Sequence, residues 1–136
     1  MRKHLLPLAW CLAAVACAAE PPANAAAPAA DPETVLVTYR ITAGKEANFL
    51  KLVKAQWQTL QKLHAVTDAP HTFLRGREAK GGVYFVEVFT WTSASIPDHA
   101  PAEVQAIWSE LGKVCEARDG HAGIEIVEVD PIDADR

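Results

Sequence analysis

The chain has 136 residues, half of them hydrophobic, with 13 Lys and Arg against 17 Asp and Glu and a formal net charge of −4. That length suits one small domain, and an acidic balance with no basic cluster excludes a nucleic-acid-binding surface. Of the three cysteines, Cys11, Cys17 and Cys115, only Cys115 falls in the region that reads as folded, so no disulfide can staple the domain and it must rely on its core or on a second copy.

Met1-Arg2-Lys3-His4 is a basic start, and Leu5 to Ala16 is apolar except for Pro7. This is the pattern of a secretory signal over residues 1–17, shorter than the roughly 20 residues a membrane-spanning helix needs. Two processing sites stay open. Ala14-Val15-Ala16-Cys17 reads as a lipobox, with Cys17 lipidated and providing the sole membrane contact; otherwise cleavage falls in the Ala-rich run, for instance after Ala25. Either way the domain is expected to be exported, periplasmic or anchored to the bacterial envelope. Residues 18–32 (AAEPPANAAAPAADP) have almost nothing large to bury and read as an Ala/Pro linker.

Residues 33–130 carry the domain, followed by a polar tail at 131–136. Thr34 to Ile41 (TVLVTYRI) alternates as a strand does. Lys45 to Val66 reads as a helix, with Phe49, Val53, Trp57, Leu60 and His64 on its apolar stripe. His71–Arg77 and Val83–Thr92 are two strands of a hairpin closed by Glu78-Ala79-Lys80-Gly81-Gly82. Pro101 to Ala117 is a second helix, with Pro101 in its first turn. Asp119-Gly120 and Gly123 break the chain before a last strand, Ile124 to Val129. The order is β-α-β-β-α-β, an α+β, ferredoxin-like arrangement with two helices on one face of a four-stranded antiparallel sheet.

Strand parity sorts the side chains. If Arg77 lies across from Val83, then His71, Phe73, Arg75, Phe85, Glu87, Phe89 and Trp91 share one face, suited to a pocket wall under helices. Leu36, Leu74, Tyr84, Val86 and Val88 lie on the other, too apolar to leave wet, and a second copy of the chain is the economical cover.

The element order and the phrase Phe85-Val86-Glu87-Val88-Phe89-Thr90-Trp91, followed by His99 and by Pro101-Ala102-Glu103-Val104-Gln105-Ala106-Ile107-Trp108, resemble the antibiotic-biosynthesis-monooxygenase-type domain of the dimeric α/β-barrel superfamily. The resemblance runs from Thr34 to about Val129. It implies homodimers formed by sheet-to-sheet packing and a pocket between sheet and helices. Activities in that superfamily include cofactor-free oxidation of aromatic polyketides and haem degradation. In haem-degrading members a Trp ending the third strand, a His near the second helix and an Asn on the first strand line the pocket. Trp91 and His99 are similar in place; Tyr39 stands where the Asn would be expected, which puts haem degradation in doubt but not haem binding.

The candidate catalytic residues are His99, as a base, and Glu87, a carboxylate costly to bury unless Arg75 or His71 pairs with it. Trp91, Tyr39, Arg75, His71 and Phe85 are the candidate substrate-binding residues. Trp57 and His64 read as core, Cys115 as a buried inert thiol and His121 as exposed. No H-x-x-x-H, C-x-x-C, P-loop, G-x-G-x-x-G or G-x-S-x-G pattern occurs, so no metal or nucleotide cofactor is expected. Three readings remain. One is a cofactor-independent oxygenase acting on an aromatic or quinone-like substrate. The second is a binding module for haem or another small hydrophobic ligand. The third is a structural dimer domain. The first two need Trp91, Glu87 and His99 to meet at a cavity, and the third needs Phe85, Phe89 and Trp57 to fill it.

Overall fold

The computed structural model describes residues 31–135. The signal segment, Cys17 and most of the Ala/Pro linker lie outside the described residues. Among the described residues no helix is long and apolar enough to cross a membrane.

The chain runs β1 (Glu33–Ile41), α1 (Glu46–Lys62), β2 (Thr72–Arg77), β3 (Val83–Trp91), a 3-10 turn (Pro97–His99), α2 (Ala102–Val114) and β4 (Ile124–Glu128). The strands form one antiparallel sheet in the order β2-β3-β1-β4. This is the expected ferredoxin-like fold, with both helices on one face.

The hairpin register is the one the parity argument requires. Arg77 faces Val83 and Phe73 faces Glu87, while β1 sets Val37 opposite Glu87 and Tyr39 opposite Phe85. Val35, Val37, Tyr39, Phe85, Glu87, Phe89 and Trp91 therefore all point towards the helices, and all are buried. The hairpin closes with a turn in which Gly81 N–H bonds Glu78 C=O, and Gly81 takes a positive φ of 90°. A side chain there would be strained, so glycine suits it.

α1 stops earlier than its hydrophobic stripe suggests. The pattern runs through His64, but the helix ends at Lys62, and His64 takes a left-handed φ of 52°. His64 N–H bonds Gln61 C=O and Ala65 N–H bonds Leu60 C=O. Together these form a Schellman cap, in which the left-handed residue lies just past the helix. His64 is consequently exposed, not core. α2 ends at Val114, also short of its expected limit. The chain then runs extended beside β1, with Thr42 N–H bonding Val114 C=O and Glu116 N–H bonding Arg40 C=O. Cys115 is half-buried there, and burial raises its thiol pKa to about 11.

The two sides of the helix-facing layer are filled differently. Under α1 the rings of Phe49, Phe73 and Phe85 pack at centroid distances of 4.9–6.2 Å. Under α2 the sheet offers mainly Val35, Val37, Ile124 and Ile126. Short side chains there do not reach the helix, and space is left.

Candidate functional site

That space is a cavity of about 650 Å³ between the β3-β1-β4 part of the sheet and α2. Its floor is made by Val35, Val37, Tyr39, Phe89, Trp91, Ile124 and Ile126, and its far wall by Trp108 and Leu111 of α2 with Pro97. Gln56 reaches in from α1, and Glu33 and Glu128 stand at the other end. Ile126 shares the parity of Val37, towards the helices, and is 65% exposed where it lines the cavity. Trp91 lines the cavity and also packs edge-on against Phe89 and Trp108.

Behind the cavity lies a buried polar trio. Glu87 is 0% exposed. Tyr39 Oη donates to its Oε2 at 2.9 Å, and His71 Nδ1 meets its Oε1 at 2.7 Å. Burial pushes the Glu87 carboxyl above the usual carboxylate range, and its two hydrogen bonds pull the other way. Burial and the Glu87 charge likewise push the Tyr39 phenol well above its ordinary value. His71 is held by stacking on Trp57, with ring centroids 4.0 Å apart and planes within 14°, and its outer side reaches solvent. The trio thus connects the cavity wall at Tyr39 to the surface at His71 through a carboxylate that water does not touch. Such a group survives burial only because both oxygens are bonded.

Other candidates lie elsewhere. Arg75 pairs through two hydrogen bonds with Glu46 of α1 on the exposed side, so His71, not Arg75, is the partner of Glu87. Phe85 is in the aromatic core and does not line the cavity. His99 ends the 3-10 turn, is exposed, places Nδ1 3.1 Å from Ser95 C=O and faces a separate shallow cleft with Leu63, His64 and Val104. Trp91 and His99 therefore do not look into one pocket. Trp57 and Phe89 pack edge-on without closing the space.

Sequence reasoning missed Gln56, Trp108, Glu33 and Glu128. Gln56 was detectable, since it falls between Val53 and Leu60 on the buried stripe of α1. A polar residue at a core position signals function or a partner. Glu33 shares the inward parity of Val35 and Val37, and Glu128 that of Ile124 and Ile126.

The lining does not fit a haem. Among the described residues the lining has no His, Cys or Met to ligate iron, the Tyr39 oxygen is engaged by Glu87 and Gln56, and the end carboxylates would repel propionates. Among the described residues no group of three or more His, Cys, Asp or Glu is placed to hold a metal ion.

Solved structures with the same architecture are numerous. Two structures of SnoaB, a cofactor-independent oxygenase from Streptomyces nogalater, superpose with TM-scores of 0.53 and 0.55 at 14–15% identity, over 77% of this chain and 97% of theirs. The chain has the fold of an antibiotic-biosynthesis-monooxygenase-type domain. A protein from Bordetella bronchiseptica, proposed to be such a monooxygenase, matches with TM-score 0.54 at 10% identity over 74% of this chain and 97% of its own. A dimeric ferredoxin-like protein of unknown function from Jannaschia sp. CCS1 matches with TM-score 0.50 at 18% identity over 74% of this chain and all of its own. No protein-family model matches the chain, and no curated protein does.

Proposed function

We propose that this domain binds an aromatic or quinone-forming molecule in the cavity beneath α2 and oxidises it with dioxygen, without a cofactor. The observation that carries the reading is the trio at the cavity wall, Tyr39–Glu87–His71. The Tyr39 hydroxyl gives its hydrogen to Glu87 and accepts one long hydrogen bond from Gln56, so a second lone pair on its oxygen is left to accept a hydrogen from a substrate hydroxyl in the cavity. As the substrate proton moves to Tyr39, the Tyr39 proton moves to Glu87, whose burial raises its proton affinity. His71, in contact with solvent, exchanges that proton with water. The electron-rich anion left in the cavity reduces dioxygen. An activated CH2 becomes C=O, with one oxygen atom incorporated and the other leaving as water. The likeness in fold to SnoaB supports this chemistry. We further place the protein outside the cytoplasm, delivered by the Met1–Cys17 segment, and working as a homodimer.

Oxygen uptake with a panel of anthrones and hydroquinones tests the reading. Tyr39→Phe should lower kcat by about 100-fold, the scale of lost acid–base catalysis, while quenching of tryptophan emission shows that ligand still binds. His99→Ala separates the two candidate bases: full activity supports the trio, and a loss as large as that of Tyr39→Phe returns the role to His99. Saturable binding with no oxygen uptake for any compound would leave a binding module for hydrophobic ligands.

A further inference from the structure

The two ends of the cavity differ in chemistry. At the inner end Gln56 is 3% exposed and faces the cavity. Its Nε2 makes one long hydrogen bond, 3.4 Å, to Tyr39 Oη, and no side-chain nitrogen or oxygen among the described residues is both buried and unpaired. The hydrogen-bonding capacity that the amide has left therefore opens onto accessible space, and Gln56 lines the cavity.

At the other end stand Glu33 and Glu128. Glu128 lies opposite Val35, two residues along from Glu33 and on the same face, so the two carboxylates are diagonal neighbours across the β1–β4 pair. Partial burial, the nearby Glu128 and then Asp98 raise the Glu33 carboxyl above its ordinary value, as expected for negative charges crowded together. Among the described residues, Glu33 and Glu128 are the only charged side chains lining the cavity, and no Lys, Arg or His lines it with them. From Glu33 to Tyr39 the floor runs six residues of strand, roughly 20 Å. Between the ends the lining is apolar.

We propose that the cavity selects an elongated apolar molecule with a hydroxyl at its inner end, seated on Gln56, and an uncharged or cationic group, never a carboxylate, at the Glu33–Glu128 end. This rests on the cavity being the ligand site and specifies what enters it. The carboxylate pair would repel fatty acids and acidic metabolites of the right size. A neutral phenol or an amine-bearing aromatic meets no such barrier.

Four fluorescent probes of one shape test this: pyrene, pyrenemethanol, pyrenemethylammonium and pyrenecarboxylate. Each is titrated into the protein at pH 7 and low salt, with energy transfer from tryptophan as the readout. The alcohol and the ammonium should bind about tenfold more tightly than the carboxylate, and high salt should narrow the gap. Glu33→Gln with Glu128→Gln should bring the carboxylate within about twofold of the alcohol, through relief of the same charge repulsion. Gln56→Leu should weaken the alcohol about fivefold, the scale of one lost hydrogen bond, and leave pyrene unchanged. Equal binding of carboxylate and ammonium, or a gap that persists in the double variant, overturns the selectivity while leaving the cavity as the site. No saturable binding of any probe overturns both.

Discussion

At the scale of single residues, Glu87 governs the candidate site. It is a carboxylate at the centre of an aromatic layer, tolerated because Tyr39 and His71 bond both of its oxygens. Glu87→Ala would take away the partner of the buried Tyr39 hydroxyl and of the part-buried His71 ring, and breaking a buried charged pair in this way costs about 3–5 kcal/mol. Glu87→Gln keeps the shape and should cost less. The charge also sets a pH dependence. Burial raises the folded-state pKa of Glu87 above the ordinary 4.5, so the folded protein holds this proton more tightly than the unfolded chain. Stability from this group is whole below the ordinary value and fades as pH rises through the folded one. Urea unfolding should therefore show the wild type losing ground to Glu87→Gln as pH rises above 4.5, then levelling. A difference that stays flat with pH would mean that Glu87 is not perturbed.

At the scale of elements, the end of α1 shows how local backbone geometry overrides a hydrophobic pattern. His64 continues the stripe, but as the left-handed residue of the cap it turns out to solvent. A left-handed conformation costs a non-glycine residue roughly 1–2 kcal/mol, part of which glycine returns through its more flexible unfolded chain. His64→Gly should thus stabilise the domain by about 0.5–1 kcal/mol, which for a domain of this size raises Tm by a few degrees. A fall in Tm on thermal unfolding would show that the His64 side chain contributes contacts that outweigh the strain. The loop before β4 uses related chemistry. Asp119 and Gly120 both have positive φ, and Arg118 and His121 exchange backbone hydrogen bonds across them, the two-residue turn that Asp-Gly favours. Arg118 then bonds the carbonyls of Ile41 and Val83 and the carboxylate of Glu78, tying that turn to β1 and β3.

At the scale of the whole molecule, the sheet face opposite the helices is uncovered. Leu74 on the β2 edge is 58% exposed, Val127 on the opposite β4 edge is exposed, and Leu36, Val86 and Val88 between them are part-exposed. Tyr84 lays its ring over Gly76, where a Cβ would collide with it, and this flattens that part of the face. Exposed apolar side chains gathered on an uncovered sheet face mark an interaction surface. We expect this face to pair with a second copy. Light scattering on a sizing column should give a dimer for the wild type at micromolar concentration and a monomer for Leu74→Lys combined with Val88→Lys. A monomeric wild type would refute the two-sheet packing.

How much of this was legible beforehand follows from the physics of each feature. Strands and helices are written in local periodicity, and Phe85, Glu87, Phe89 and Trp91 were sorted to the correct face because side-chain alternation along a strand is strict. The pairing of Glu87 with a neighbour on β2 was also visible, since cross-strand partners follow from register. Which neighbour was not: His71 and Arg75 both share the face, and the choice was made by α1, whose Trp57 stacks on His71 and whose Glu46 draws Arg75 outward. A pocket between sheet and helices was expected from the family resemblance, but its place under α2 was not legible, for a similar reason. Empty space belongs to no residue; it exists because bulky rings fill the α1 side while valines under α2 leave a gap. The separation of His99 from Trp91 likewise depended on a 3-10 turn whose direction no local pattern encodes. The sequence by itself determined the order of elements, the faces of the strands and the buried carboxylate, all set by interactions close along the chain or by strict alternation. Only the tertiary structure decided which groups meet across elements, because such meetings depend on how the volumes of distant side chains fit together.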